Sequence, residues 1–326
     1  MYEAVRRPIG GRGVEASEVE PRRRFRPMRI AFLVLVALFA VLLVSPVSPL
    51  LFGVLGWFLS PEETGGTSHR VHDVSFGAIF AISLVGVLAQ LRSAWHKVAP
   101  MQQVAIPIYL LILAEIIVSG PSPDMVPLYL LFGLPPLVIA LLHPAPREVF
   151  RPAVLPSPVL LAMVAVAAIP LLVFAVGQFG AGLEGVAIAD GPEFAELDRL
   201  EEDPNATEDQ FQAAFDEGVA AAQLSPEEVV LVEHFFHWAG MAAVAVAIIL
   251  VGLLAALRIR GWRVTAWTAG LALAYYGLVS VLTPADASSG GSLWGGLAIA
   301  WGVVFVFLAE REARAARVIT IRPAEA

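Results

Sequence analysis

Long apolar segments without charge recur along the whole chain and constrain its fold more than any other feature. Runs of seventeen or more residues contain no charged side chain, and a helix of that length crosses most of the ~30 Å hydrocarbon layer at 1.5 Å per residue. With 58% hydrophobic and only 15% charged residues, the composition lacks the polar surface of a soluble domain of this size. We therefore predict an all-α, polytopic transmembrane helix bundle.

Eight segments have the required length and apolarity, and the linkers between them alternate in charge. Arginine-rich linkers are followed by linkers with almost no basic residue, so the positive-inside rule places both termini in the cytoplasm. The long linker 184–233 holds fifteen acidic residues and one basic residue, Arg199, and is predicted to lie outside. The predicted spans are 30–52, 71–91, 101–119, 125–142, 159–179, 232–257, 264–282 and 293–309.

The pattern around one pair of histidines recurs about 165 residues later in the chain. His69 and His72 begin an apolar segment that ends in an arginine, and so do His234 and His237. Each half has a lone span, an external loop, the histidine-headed span and a hairpin of two spans. An even number of spans per half predicts parallel repeats, related by an axis along the membrane normal.

These boundaries divide the chain into two repeats and two tails. Within the external insertion, Thr207 and Ser225 are predicted helix caps, whereas residues 184–206 are predicted to be irregular. The predicted units are a disordered basic cytoplasmic tail (1–28), a first four-helix repeat (29–150), a second four-helix repeat (151–312) with an external acidic insertion (184–231), and a cytoplasmic tail (313–326).

The four paired histidines form the principal candidate site. Residues three apart share one face of a helix, so two repeat-related pairs could converge on one ion. Imidazole binds transition metals such as Zn, Cu and Fe, and the absence of cysteine excludes thiolate ligands. Four carboxylates on the same predicted side are candidate additional ligands, or could orient the imidazoles: Asp73, Glu233, Asp124 and Asp286.

The depth of two of these histidines is also compatible with a different cofactor. His72 and His237 lie 20 and 21 residues from the arginines that end their segments, which is about 30 Å along a helix. Both would then lie near the outer edge of the hydrocarbon. Matched depth also allows a haem b with His72 and His237 as its axial ligands. A third alternative is a transporter or structural membrane protein in which the histidines are incidental.

A few polar residues lie in or near the predicted spans. Glu115 is charged within the third span, and intramembrane charges mark candidate functional sites. Gln90 and Gln178 lie near span ends and are predicted to make interhelical hydrogen bonds or to lie at the membrane interface.

The remaining motifs limit the classes of partner. The chain contains no phosphate-binding loop, no nucleophile motif and no nucleic-acid patch, so the predicted partner is the lipid bilayer, without nucleic acid. Whether the protein is an enzyme stays open. Lys97 is the only lysine beside twenty arginines, a bias typical of a high-GC genome, and we place the protein in the plasma membrane of a prokaryote.

Overall fold

The computed structural model describes residues 26–46, 48, 50, 70–201, 203, 205–233, 235–286 and 288–321. Within these residues the secondary structure is helical, with no strand. The helices are α1 (Arg26–Val44), α2 (Arg70–Gln90), α3 (Val98–Ser119), α4 (Val126–Leu142), α5 (Pro146–Phe150), α6 (Pro158–Ala189), α7 (Ala195–Glu201), α8 (Glu208–Ala222), α9 (Pro226–Glu233), α10 (Phe235–Ala256), α11 (Trp262–Leu282) and α12 (Gly291–Ile321).

Seven of the described helices are long and apolar enough to cross a membrane, namely α1, α2, α3, α6, α10, α11 and α12. The helix α4 is also apolar but shorter, at 17 residues. Helices satisfy every backbone hydrogen bond within the segment, which hydrocarbon requires. The prediction of a multi-pass helical membrane protein is confirmed.

The helices α10 and α2 form the centre of the bundle. In α10, 78% of the apolar segment is buried, and in α2, 67%, against 28% or less in α1, α6 and α12. The helix α10 packs on α2, α3, α6 and α11. Its sequence is rich in alanine and glycine, and such small residues let helices approach closely in a membrane.

The principal helix contacts fall into corresponding sets in the two halves of the chain. In the first half α1 packs on α2 and α4, α2 on α3, and α3 on α4. In the second half α6 packs on α10 and α12, α10 on α11, and α11 on α12. Between the halves, α10 packs on α3, α11 on α2, α10 on α2 and α11 on α3.

Ion pairs connect the arginine-rich linkers at one end of the bundle, here called the basic end. Arg260 in the α10–α11 linker pairs with Glu148 of α5 at 2.8 Å and donates to the Trp95 carbonyl at 3.1 Å. Arg258 pairs with Glu312 of α12 at 2.5 Å. The arginines predicted to share one side of the membrane therefore lie together in space.

The acidic insertion at the opposite end is more helical than predicted. The helix α6 continues to Ala189, and α7 follows from Ala195, because the end of α6 packs on α9. Both predicted caps are confirmed: the Thr207 hydroxyl accepts from the Gln210 backbone N–H, and the Ser225 hydroxyl accepts from that of Glu228 at 3.3 Å.

Glycines spaced seven apart hold α11 and α12 in close contact. Gly270 and Gly277 on α11 face Gly302 and Gly295 on α12, respectively. A Cβ at Gly295 would lie 2.6 Å from the Gly277 carbonyl oxygen, nearer than real Cβ atoms come. The neighbouring Gly296 has no atom within 4 Å of the position a Cβ would take. Of these two adjacent glycines, only Gly295 is required for the close packing of α11 on α12.

We expect Gly295→Val and Gly296→Val to differ in stability although the residues are adjacent. Valine at 295 forces α11 and α12 apart, and overpacking of this kind costs about 1–3 kcal/mol. Valine at 296 meets open space, and its cost is limited to that of a surface substitution, about 0.5 kcal/mol. Thermal unfolding of both variants in the same detergent measures the difference. Equal melting temperatures would contradict the glycine contact.

His143 stabilises the basic end as a neutral side chain. It is 2% exposed, its Nε2 donates to the Ala94 carbonyl at 3.0 Å, and its Nδ1 accepts from the Ala145 backbone N–H at 3.0 Å. Its ring also packs edge-to-face on Phe32. Burial lowers the pKa of His143 from 6.5 to about 4, because it disfavours the charged imidazolium.

We expect His143 to make the protein less stable as the pH falls. The pKa of His143 is lower in the folded state than in the unfolded state. The stabilisation by neutral His143 is therefore complete above about pH 6.5 and is lost between pH 6.5 and 4. Over this range the free energy of unfolding falls by about 1.4 kcal/mol per pH unit, to a total of about 3 kcal/mol. Chemical unfolding at several pH values measures it, and His143→Gln is expected to flatten this part of the curve. The exposed His96→Gln is the control, and a slope equal in all three proteins would refute the assignment.

Candidate functional site

The structure brings one histidine of each predicted pair into contact. His72 lies in the first turn of α2 and His237 in the first turn of α10. Their ring centroids are 5.7 Å apart, with the rings edge-to-face. His72 is fully buried and His237 is partly exposed. The prediction that these two residues lie at one depth is consistent with this contact, which defines the end of the bundle opposite the basic end, here called the histidine end.

A chain of hydrogen bonds fixes His72 across three parts of the fold. Its Nε2 lies 2.5 Å from the Ser288 hydroxyl in the α11–α12 loop, and that hydroxyl donates to the Gln178 side-chain oxygen on α6. With the serine proton directed to Gln178, His72 donates through Nε2–H. On its other side, the His72 ring packs edge-to-face on Trp238, 4.8 Å between centroids.

The α11–α12 loop has a backbone conformation that presents Ser288 to His72. Ser288 has φ 59°, in the left-handed region, and its carbonyl accepts from the Tyr276 hydroxyl at 3.0 Å. Farther along, the Ser289 hydroxyl donates to the Ser280 carbonyl at 3.2 Å, and the Gly290 N–H donates to the Ser280 hydroxyl at 3.2 Å. These bonds satisfy the polar groups that a buried turn must pair.

Two further polar groups lie beside the histidines. The Ser75 hydroxyl, one turn after His72, and the Trp238 indole N–H, next to His237, are buried and make no hydrogen bond with the part of the chain that the structure describes. Groups of this kind are uncommon in native structures.

The other predicted site residues are placed less completely. His69, His234 and the side chains of Glu233 and Asp124 lie outside the described residues. Asp73 is partly exposed on α2, and Asp286 lies in the same loop as Ser288. Among the described residues, no group of three or more His, Asp or Glu side chains could hold a metal ion. The predicted four-histidine metal site therefore stays a prediction.

Glu115 has a partner of its own within the membrane. It lies on α3 and accepts a hydrogen bond from the Tyr129 hydroxyl on α4. This bond connects two neighbouring helices of the first half, and it offers the carboxylate a polar contact that the hydrocarbon does not. Nothing in this arrangement relates Glu115 to His72 or His237.

The site contains residues that the sequence did not single out. Gln178 on α6 accepts a hydrogen bond from the Ser288 hydroxyl in the α11–α12 loop. Gln90 donates to the carbonyl of Gly86 on its own helix and to that of Lys97 in the α2–α3 linker, at 3.3 and 3.1 Å, so these bonds join a helix to a linker or to itself and not two helices. Ser288 and Trp238 were not predicted, because a serine in a polar loop and a tryptophan beside a histidine carry no periodic signal.

No family model, curated protein or solved structure matches the chain.

We expect Ser288→Ala to destabilise the protein, because it removes the shared partner of two polar side chains. Losing the partner of a buried polar group costs about 1–3 kcal/mol. Gln178→Leu removes the other end of the chain, and the double variant is expected to lose less than the sum of the two single variants. Unfolding of the four proteins in detergent gives the coupling energy. A coupling of zero would show that Ser288 and Gln178 act independently.

Proposed function

We propose that the chain is an eight-span protein of a prokaryotic plasma membrane, built from two parallel four-helix repeats, with a transition-metal site at its external histidine end. Both termini then lie in the cytoplasm. The ion pairs of the basic end support this orientation, because they gather arginines that the positive-inside rule assigns to the cytoplasmic side. The observation that carries the metal site is the contact between His72 and His237.

The helix contacts support the two repeats. Each principal contact of α1, α2, α3 and α4 with one another has a counterpart among α6, α10, α11 and α12. Between the halves, α10 packs on α3 as α11 packs on α2, although the packing of α6 on α3 has no α1–α11 counterpart among the principal contacts of the described residues. A pseudo-twofold axis along the membrane normal accounts for this pattern.

Contacts between equivalent residues support the position of that axis. A residue that contacts its own counterpart lies close to a twofold axis, and His72 contacts His237. Two further contacts join positions that correspond to within one residue, since the arginines that end the two segments are 166 positions apart: the Gln103 side-chain amide donates to the Thr268 hydroxyl at 3.2 Å, and Arg260 donates to the Trp95 carbonyl. These contacts run from the histidine end to the basic end, along the interface between the repeats.

A metal site on this axis would take one imidazole from each repeat. The hydrogen bond from His72 Nε2 to Ser288 fixes one tautomer, as partners of metal-bound imidazoles do, so His72 would bind through Nδ1. His69 and His234 each precede these residues by three positions and are the proposed further ligands. Zn, Cu or Fe suits such a donor set.

Two alternatives to the metal site are a haem b site and a purely structural role of the histidines. A haem b between His72 and His237 has less support, because the two rings are in direct edge-to-face contact, whereas axial ligation requires a porphyrin between them. The full burial of His72 and its bond to Ser288 favour a purely structural role for that residue. In that case the protein is a transporter or structural protein with incidental histidines.

Metal binding to the purified protein separates these possibilities. We expect near-stoichiometric Zn, Cu or Fe by mass spectrometry after purification without added chelator, and no Soret band. His237→Ala is expected to weaken Zn²⁺ binding in calorimetric titrations roughly 10–100-fold or more, because losing a ligand costs at least as much as losing its outer partner. His96→Ala, at the basic end, is the matched control.

The single variants of all four histidines define the ligand set. Loss of binding in the variants of His69 and His234 as well as His72 and His237 supports the site as proposed. A Soret band that disappears in His72→Ala and His237→Ala would replace the metal by haem b. Absence of metal and Soret band, with unchanged Zn²⁺ titrations in every variant, would refute both and leave the structural role.

A further inference from the structure

A long groove lies between α2 and α11, on the side of the bundle away from α6. It has a volume of about 890 Å³ and is lined mainly by apolar side chains. On α2 the lining residues recur every three or four positions from Val74 to Val85, which is one face of the helix, and α11 contributes a matching face from Val264 to Tyr275. Leu271 in this lining is 57% exposed.

The groove extends along more than one leaflet of a bilayer. Val74 lies two residues after His72, near the histidine end of α2, whereas Trp262 lies at the start of α11, at the basic end. Sixteen residues separate Val74 from Gln90, whose amide donates to the Lys97 carbonyl, and they span about 24 Å along a helix axis. Half of the ~30 Å hydrocarbon layer is about 15 Å, so the groove is long enough for a hydrocarbon chain that enters from the leaflet at the basic end.

Polar and aromatic residues surround the end of the groove that lies at the basic end. Lys97, Arg263 and Glu310 line it there. Arg263 pairs with Glu310 at 2.6 Å, and the Trp267 indole donates to Glu310 at 3.0 Å. Trp262 and Trp267 also line it, and tryptophan concentrates at the level of lipid headgroups. Two cations and one carboxylate leave a net charge of +1, which complements one anionic headgroup.

The contacts of α6 and α1 show why the groove occurs on one side of the bundle. In the second half, α6 packs on both α10 and α3 and so covers the seam between them. In the first half, α1 packs chiefly on α2 and α4, and contact with α11 is not among the principal contacts of the described residues. Among the described residues, therefore, no helix covers the seam between α2 and α11 as α6 covers its counterpart.

We propose that this groove binds one acyl chain of an anionic phospholipid from the leaflet at the basic end, with the phosphate on Lys97. The lipid chain covers the seam between α2 and α11, as α6 covers the seam between α10 and α3. Arg263, held by Glu310, contributes its remaining N–H groups to the headgroup. This proposal does not rest on the histidine site, because the headgroup lies at the basic end.

Native mass spectrometry of the full-length protein tests the proposal with two lipids that share the same acyl chains. We expect phosphatidylglycerol to bind about fivefold more tightly than phosphatidylcholine, because the choline ammonium offsets the charge of the shared phosphate and one lysine beside a net anionic lipid contributes about 1 kcal/mol. Lys97→Gln is expected to abolish this preference. Ala81→Phe fills the groove and is expected to weaken both lipids.

Matched variants outside the groove serve as controls. Arg92→Gln removes an exposed cation of the same end, and Leu88→Phe enlarges an exposed residue on the same helix. Both are expected to bind like the unmodified protein, and melting temperatures establish that every variant is folded. Equal binding of the two lipids, or a preference that survives Lys97→Gln, would overturn the proposal. So would equal effects of Ala81→Phe and Leu88→Phe.

Discussion

The close packing of α10 against its neighbours is the interaction on which the rest of the bundle depends. Between helices in hydrocarbon, apolar burial provides no driving force, so association rests on van der Waals packing and hydrogen bonds. Small residues give α10 contacts on four sides. For example, Gly240 accepts the Phe76 ring, which leaves no room for a Cβ. Because α10 lies at the centre, α2, α3, α6 and α11 are arranged around it.

The two ends of the bundle are closed by different chemistry. At the basic end, charged side chains pair across linkers, and several pairs remain partly exposed, where each contributes little alone. At the histidine end, neutral groups form a buried chain from His72 through Ser288 to Gln178. Buried polar chains are costly when incomplete, so this end depends more strongly on a single loop.

Sequence patterns predicted the helices well and the site only in part. Apolar length and linker charge gave most helix bounds within a few residues, but α1 ends at Val44 rather than near 52. Repeat position and helix rise were sufficient to predict that His72 and His237 share a depth. Ser288 was not predictable, because its role depends on a left-handed turn and on the position of α6. The sequence likewise does not show which of the adjacent Gly295 and Gly296 faces α11. That depends on the rotation of α12 about its own axis.

The two histidines on the proposed axis have unequal surroundings. His72 is fully buried, bonded to Ser288 and packed on Trp238. His237 is partly exposed, and it packs on Phe76 with 6.0 Å between ring centroids. The residues 165 positions from Trp238 and Phe76 are Asp73 and Met241, so these two ring contacts are not reproduced at the positions that the proposed repeat makes equivalent. The histidine end therefore presents one fully buried imidazole and one partly exposed imidazole, each with different aromatic neighbours.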